Sequence, residues 1–202
     1  MKVDAWLKIF KQNRQKKLFS LSDINQLVDE SRENIAVELT RLVKKEVISR
    51  ITRGWYTNPF NLPSYEEISM ILRVPCYLSM EYALSRYGTL SQRAVTFTLI
   101  TTQKPYIYKK GKEVYEYHQI KRSLFWGYKQ DRDILIAEAE KALLDLIYIR
   151  MIHSKQVSIE QFSSLLDDMY KEDFNKNKLK KYAKQFGGMT QEILYHTDLV
   201  KK

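Results

Sequence analysis

Apolar residues recur along this chain at two periods, and the change of period marks its elements. Val3, Trp6, Leu7 and Phe10 stand at i, i+3, i+4 and i+7, one face of a first helix, and Asn13 to Lys17 form its basic exit. Leu18-Phe19-Ser20 reads as a short extended link. Ser22 is placed to cap a second helix that turns Ile24, Leu27 and Val28 inward, with Asp23 in its first turn. Ser31 caps a third helix, in which Ile35, Leu39 and Leu42 share a face and Val43 lies at its edge. The spacing then shortens. Val47 to Ile51 and Trp55-Tyr56-Thr57 read as strands around the tip Thr52-Arg53-Gly54, where Gly54 supplies the positive φ of a tight turn. Neighbouring strand residues point to opposite faces, so Tyr56 is expected in the core and Trp55 nearer the surface.

Two prolines in Asn58-Pro59-Phe60-Asn61-Leu62-Pro63-Ser64 stop regular structure, which sets a domain boundary between residues 60 and 61. Beyond it, Tyr65 to Arg73 predicts a helix, and Ser79 caps another, Met80 to Tyr87, closed by Gly88. "AVTFTLIT" (Ala94 to Thr101) alternates as a strand. Tyr106-Ile107-Tyr108 and Val114 to Tyr117 flank Lys109-Lys110-Gly111-Lys112 as a hairpin, and Leu124 to Tyr128 reads as a further aromatic strand. Helices over Ala137 to Arg150, Ser158 to Tyr170 and Asn175 to Phe186 close the chain, with Gly187-Gly188 as a C-terminal cap.

Charge changes this picture. Among 202 residues, 34 are Lys or Arg and 24 Asp or Glu, a net charge of +10. Residues 1–60 hold 12 of the basic and 7 of the acidic residues, so the first segment is the denser positive body and favours a polyanionic partner. The apolar runs are too short to span a bilayer and no signal-peptide core is present, so a cytoplasmic protein without membrane contact is expected. The single Cys76 sits among apolar residues and reads as a small buried side chain; one Cys and three scattered His build no zinc site. No cofactor or metal is expected.

Three helices followed by a hairpin is the order of a winged helix-turn-helix domain, in which the third helix enters the major groove. The expected fold is α+β: that N-terminal domain over residues 1–60, then a mixed α/β C-terminal domain over 61–202 with an antiparallel sheet and closing helices. Candidate DNA-binding residues are Ser31, Arg32, Asn34, Val37, Thr40, Arg41 and Lys44 on the third helix, whose amide, hydroxyl, methyl and guanidinium groups suit base edges. Arg50, Arg53 and Gly54 join them on the wing, placed for phosphates. Glu33 and Glu38 count against a deep groove fit. The alternative for the same elements is a protein-docking module that neutralises a partner by direct contact, without specific DNA binding.

Three stretches, "RGWY" (Arg53 to Tyr56), "VPCYLSMEYALSRYG" (Val74 to Gly88) and "AEKALLDLIY" (Ala139 to Tyr148), make the chain resemble the AbiEi family of antitoxins of type IV toxin-antitoxin systems. The resemblance implies a two-domain autoregulator that binds inverted repeats of double-stranded DNA in its own promoter. Its C-terminal domain would counter a nucleotidyltransferase-like toxin without a stable complex. The carry-over reaches only Arg53, Gly54 and the basic residues of the third helix; Trp55 departs from the small or aliphatic residue of many relatives.

Enzyme signatures are missing. Glu138, Glu140 and Asp145 share a helix region, but Lys141 and Asp145 form an i, i+4 pair among core residues. No Asp or Glu is followed two positions later by Lys, which removes the usual nuclease pair, and His118, His153 and His196 lack a partnered nucleophile. A late cluster of Lys171, Lys176, Lys178, Lys180, Lys181 and Lys184 is a possible second basic surface, with a plain solvated helix face as its alternative. Tyr106, Tyr108, Tyr115 and Tyr117 could stack on bases or cover a core.

Overall fold

The structure is a computed structural model that describes residues 1–153, 162–164, 166 and 168–200. It is mixed α/β and forms two compact units, Met1–Ile68 and Ser69–Lys202.

The first unit begins with α1 (Val3–Gln12), which buries Trp6 and Phe10. β1 (Leu18–Ser20) leads directly into α2 (Leu21–Leu27) and α3 (Arg32–Lys44), followed by β2 (Arg50–Thr52) and β3 (Trp55–Thr57). The strands form an antiparallel sheet in the order β1-β3-β2. Leu18-Phe19-Ser20 is therefore a third strand and not a link: Phe19 pairs with Tyr56 and is fully buried. A three-residue strand is too short to show period two, so this one is visible only through its partner. Phe19 meets Phe10 edge-on at 5.4 Å, and both join Trp6, Ile24, Ile35, Leu39, Leu42, Ile48 and Tyr56 in one core. β2 is also shorter than expected, and residues 45–49 form the bend that brings it under β3.

The cap of α2 is Ser20 and not Ser22. The Asp23 amide donates to Ser20 Oγ at 3.0 Å while the Ser20 amide donates to the Asp23 carboxylate at 2.7 Å, a reciprocal box that satisfies two helix-end groups. Pairing of β1 with β3 holds Ser20 in extended conformation, where an N-cap must be, and leaves Ser22 exposed in the first turn. Asn58 is completely buried, and its side-chain amide donates to the carbonyls of Phe10, Asn13 and Lys16 at 3.2, 3.1 and 2.9 Å. It thereby fastens the exit of α1 to the end of β3.

The second unit is built on a six-stranded sheet ordered β6-β7-β5-β4-β9-β8. Its strands are β4 (Cys76–Leu78), β5 (Phe97–Thr101), β6 (Tyr106–Lys110), β7 (Glu113–Gln119), β8 (Tyr128–Asp131) and β9 (Ile134–Ala137). The sheet is mixed and not antiparallel throughout, because β5 pairs β7 and β4 pairs β9 in parallel. The helices are α4 (Tyr65–Leu72), which runs across the division of the units, α5 (Met80–Arg86), α6 (Ala139–Leu146), α7 (Lys176–Phe186) and α8 (Gly188–His196). α6 continues as a π-helix, Ile147–His153.

Several expectations for this unit need correction. Leu124 to Tyr128 is a 3-10 turn, Arg122–Leu124, followed by a bend, with the strand beginning only at Tyr128. The expected helix from Ala137 starts at Ala139, because "ILIA" is β9, a strand buried on both faces that carries no alternation. Gly187 does end α7, and Gly188 at once starts α8. Residues 162–164 and 166 are helical, and the remainder of the expected Ser158 to Tyr170 helix through residue 167 lies outside the described residues.

Ser79 stands at the N-cap of α5 but makes no cap bond; its hydroxyl donates instead to Asp145 Oδ2 at 2.8 Å. That bond belongs to a network in the middle of the unit. Lys141 and Asp145, one turn apart on α6, form an ion pair with no exposed surface. Lys141 Nζ also donates to the Tyr77 hydroxyl at 2.7 Å, and that hydroxyl donates to Asp145 Oδ2 at 3.0 Å. The rings of Tyr77, Trp126 and Phe186 surround the ammonium at 5.2, 5.3 and 5.1 Å. Gly127 lies so close that a Cβ there would meet Lys141 Cγ at 2.9 Å, in a backbone with φ +74°. Burial pushes the Asp145 carboxyl up and the Lys141 ammonium down from their ordinary values, and their mutual attraction offsets part of both.

Asp145→Ala strands a buried ammonium and is expected to cost about 3–5 kcal/mol in urea unfolding, whereas Lys141→Met with Asp145→Leu costs clearly less than the sum of the single changes. Ser20→Ala is expected to cost about 1 kcal/mol near neutral pH. Partial burial raises the Asp23 carboxyl, but hydrogen bonds from Lys16 and Ser20 outweigh it and hold the group below its ordinary 3.8. With the folded value depressed, the contribution of Asp23 is complete above the unfolded value and is lost as pH falls through the folded one. Urea midpoints of wild type and Asp23→Asn should therefore converge in acid below that value.

Candidate nucleic-acid interface

α3 is positioned by what it buries. Ile35, Leu39 and Leu42 enter the core, so Asn34, Val37, Arg41 and Lys44 form the outward stripe at i, i+3, i+7 and i+10, and all four are exposed. Ser31 caps the helix by accepting from the Asn34 amide at 3.3 Å, and Arg32 is exposed in the first turn. Val37 is 54% exposed, a bare aliphatic group in the centre of the stripe.

Two polar members of this stripe, Asn34 and Arg41, already hold partners. Arg41 Nη1 donates to Glu38 at 2.7 Å, and Asn34 Nδ2 donates to Glu30 at 3.3 Å. Thr40 turns back on its own helix and donates to the Ala36 carbonyl at 2.8 Å. Desolvation raises the Glu38 carboxyl, yet the Met1 ammonium and the Arg41 guanidinium outweigh it and keep it below its ordinary value. Beside these groups lies a cleft of about 280 Å³ lined by Trp6, Glu30, Asn34, Val37, Glu38 and Arg41. A phosphate or base approaching here meets an Arg41 that engages Glu38 through Nη1 and keeps most of its guanidinium in solvent.

The hairpin tip is built from the same unit. Thr52 pairs with Trp55, leaving Arg53 and Gly54 as the turn, and Gly54 takes φ +78°. The Gly54 carbonyl accepts from the Leu21 amide at 2.8 Å, which pins the tip to the start of α2. Arg53 is exposed there. Arg50 is exposed too, and its Nε donates to the Thr52 carbonyl at 3.3 Å. Tyr56 is buried in the core and Trp55 is half-buried. The structure thus brings Ser31 to Lys44 onto one helix and Arg50 to Gly54 onto one hairpin of a single compact unit.

In the second unit, Lys176, Lys180, Lys181 and Lys184 are exposed along α7, whereas Lys178 turns inward. Its ammonium sits 3.1 Å from Glu138 and 3.3 Å from Glu140, which leaves it out of the basic surface. Tyr115 and Tyr117 are core residues. Cys76 is buried, and desolvation pushes its thiol up to about 12, so it is no nucleophile at neutral pH.

Sequence reasoning paired Lys141 with Asp145, which the structure bears out, but missed Tyr77 and Ser79 beside them and the group around His118. The Tyr77, Ser79, Lys141 and Asp145 network is closed to solvent, so no substrate reaches it; its one signal is the i, i+4 pair inside "KALLDLIYI". His118 lies 3.5 Å from Glu116, and Arg150 pairs with Glu81 at 3.1 Å on the same face of the sheet. Desolvation and the nearby Arg150 hold His118 below its ordinary value, so it is neutral at pH 7. Among the described residues no group of three or more His, Cys, Asp or Glu is placed to hold a metal ion, and no helix is long and apolar enough to cross a membrane.

Compared with known proteins, the chain matches no family model and no curated sequence significantly.

Gly54→Val is expected to destabilise the protein by about 1–2 kcal/mol, because space is open around the Cβ position but the left-handed backbone is not tolerated by a branched residue. Thermal unfolding of this variant beside Arg53→Val separates backbone strain from loss of the arginine.

Proposed function

We propose that the first unit is a winged helix-turn-helix domain that binds double-stranded DNA, with α3 as its groove-reading helix and the β2–β3 hairpin as its wing. The observation that carries this reading is the outward stripe of Asn34, Val37, Arg41 and Lys44 on a helix whose other face is core, in the same unit as an arginine-bearing tip. A stripe of amide, methyl, guanidinium and ammonium groups matches the donor, acceptor and thymine-methyl pattern of a major groove. Arg50 and Arg53 serve as phosphate anchors.

The physiological role is proposed from the resemblance to AbiEi antitoxins. In this role the chain represses its own operon at inverted repeats and counters a nucleotidyltransferase-like toxin without forming a stable complex. Two of the three resembling stretches, Val74 to Gly88 and Ala139 to Tyr148, contain Tyr77, Ser79, Lys141 and Asp145. This supports reading them as the interlock of the C-terminal fold and not as a toxin-facing surface. No enzymatic activity is proposed.

The engagement of Arg41 by Glu38 and of Asn34 by Glu30 favours a second reading, a protein-docking role for the same face. Gel shifts on the inverted repeats upstream of the gene distinguish the two. Arg41→Ala with Arg53→Ala is expected to weaken operator binding by about 1–3 kcal/mol if Arg41 reads a base, and to flatten its salt dependence. Unchanged affinity, or stoichiometric co-elution with the neighbouring gene's product and no salt-dependent DNA binding, selects the docking role.

A further inference from the structure

The six-stranded sheet of the second unit ends on one side at β6, which is hydrogen-bonded only to β7. β6 and β7 pair over five successive positions without a slip, from Tyr106 with Tyr117 to Lys110 with Glu113, around the two-residue turn Gly111-Lys112. In such a hairpin the residues flanking the turn exchange both backbone bonds, and hydrogen-bonded pairs alternate with open ones. Tyr106, Tyr108 and Lys110 therefore direct their backbone groups inward to β7. Ile107 and Lys109 present theirs outward, to an edge that no other described strand occupies.

Natural sheet edges are blunted by bulges, prolines, charged side chains or covering elements. Among the described residues β6 has no bulge, proline or covering strand within its length, and it exposes 46% of Tyr106 and 58% of Ile107. Its guard is charge, with Pro105 standing just before its first residue. Lys104, Lys109, Lys110 and Lys112 are all exposed, a single sign along the strand and its turn. The opposite edge differs: on β8, Asp131 is held by Arg86 at 2.9 Å and Lys129 lies over the Tyr87 ring.

We propose that the open edge of β6 is a docking edge for an extended acidic segment of a partner protein, which adds a strand beside it. The backbone groups of Ile107 and Lys109 supply the pairing, Ile107 an aliphatic contact, and the lysines the choice of partner. A second copy of this chain is disfavoured, since two β6 strands set side by side would gather the lysines of both copies at one edge. Single-stranded nucleic acid fits less well, because the aromatic rings are already in use. Arg73 lies over Tyr106 at 5.3 Å, and Tyr108 packs on the buried Tyr115 at 6.1 Å. The proposal is independent of operator binding by the first unit.

The test uses the full chain and a fluorescein-labelled short peptide alternating glutamate with valine. Its lysine–valine counterpart and an oligouridylate are the competing probes. Anisotropy should show binding of the acidic peptide only, and hydrogen exchange should slow at the Ile107 and Lys109 amides. Ile107→Pro removes an outward N–H without breaking a bond to β7, and should weaken binding at least about tenfold with an unchanged melting temperature. Lys109→Glu with Lys112→Glu, which leaves the backbone edge intact, should abolish acidic-peptide binding and admit the lysine–valine peptide. Unaltered exchange at both amides with millimolar acidic peptide overturns the proposal. So does equal binding by the Lys109→Glu, Lys112→Glu protein, or a preference for the oligouridylate.

Discussion

The second unit depends on a charge pair that water never reaches. Removing an ammonium and a carboxylate from solvent is costly, and the attraction between them compensates only when geometry is good and every remaining polar position is filled. Here Tyr77 of β4 and Ser79 at the start of α5 fill the carboxylate's positions, and Trp126, Tyr77 and Phe186 give the ammonium aromatic faces instead of water. One pair thus fixes the strand beside it, the turn at Gly127 that presses on the lysine stem, and the end of α7. Both charges are satisfied by groups from β4, the start of α5 and α6 itself, so the pair ties those three segments together.

The first unit is organised by the opposite kind of contact, an apolar core with polar fasteners at its rim. Asn58 ties three carbonyls at the end of α1, and the Ser20–Asp23 box fixes the direction in which α2 leaves β1. With these in place, the outward face of α3 is set by subtraction: whatever the core does not take is presented to solvent. Its arginine and amide groups rest on acidic neighbours of the same helix region, so a ligand of that face meets Glu30 and Glu38 beside them.

The parts of this architecture legible in the sequence were those with a strong period or a dedicated residue. α1 and α3 announced themselves through apolar spacing, Ser31 through its cap, and Gly54 through the turn it permits. β4 and β9 did not, because strands in the middle of a sheet are buried on both faces and lose the alternation that marks a strand. Ser20 was passed over for Ser22 because the choice between them rests on the pairing of Phe19 with Tyr56, a contact distant in sequence. On the candidate interface, the identity of the outward residues was legible, but the pairing of Arg41 with Glu38 was not, since side chains one turn apart have several available rotamers. Lys178 was grouped with its neighbours by composition, although the fold turns it onto two carboxylates.

β4 and β9 pair in parallel, with Leu78 beside Ile136, and both are interior strands of the sheet. The hairpins β6–β7 and β8–β9 can close locally and early, but the β4–β9 joint brings together segments far apart in the chain, and such pairings are slow to form. During synthesis β4 leaves the ribosome long before β9 exists, so one side of this apolar strand waits uncovered. The time a nascent chain spends in that state, and not the stability of the finished sheet, sets its exposure to misassembly.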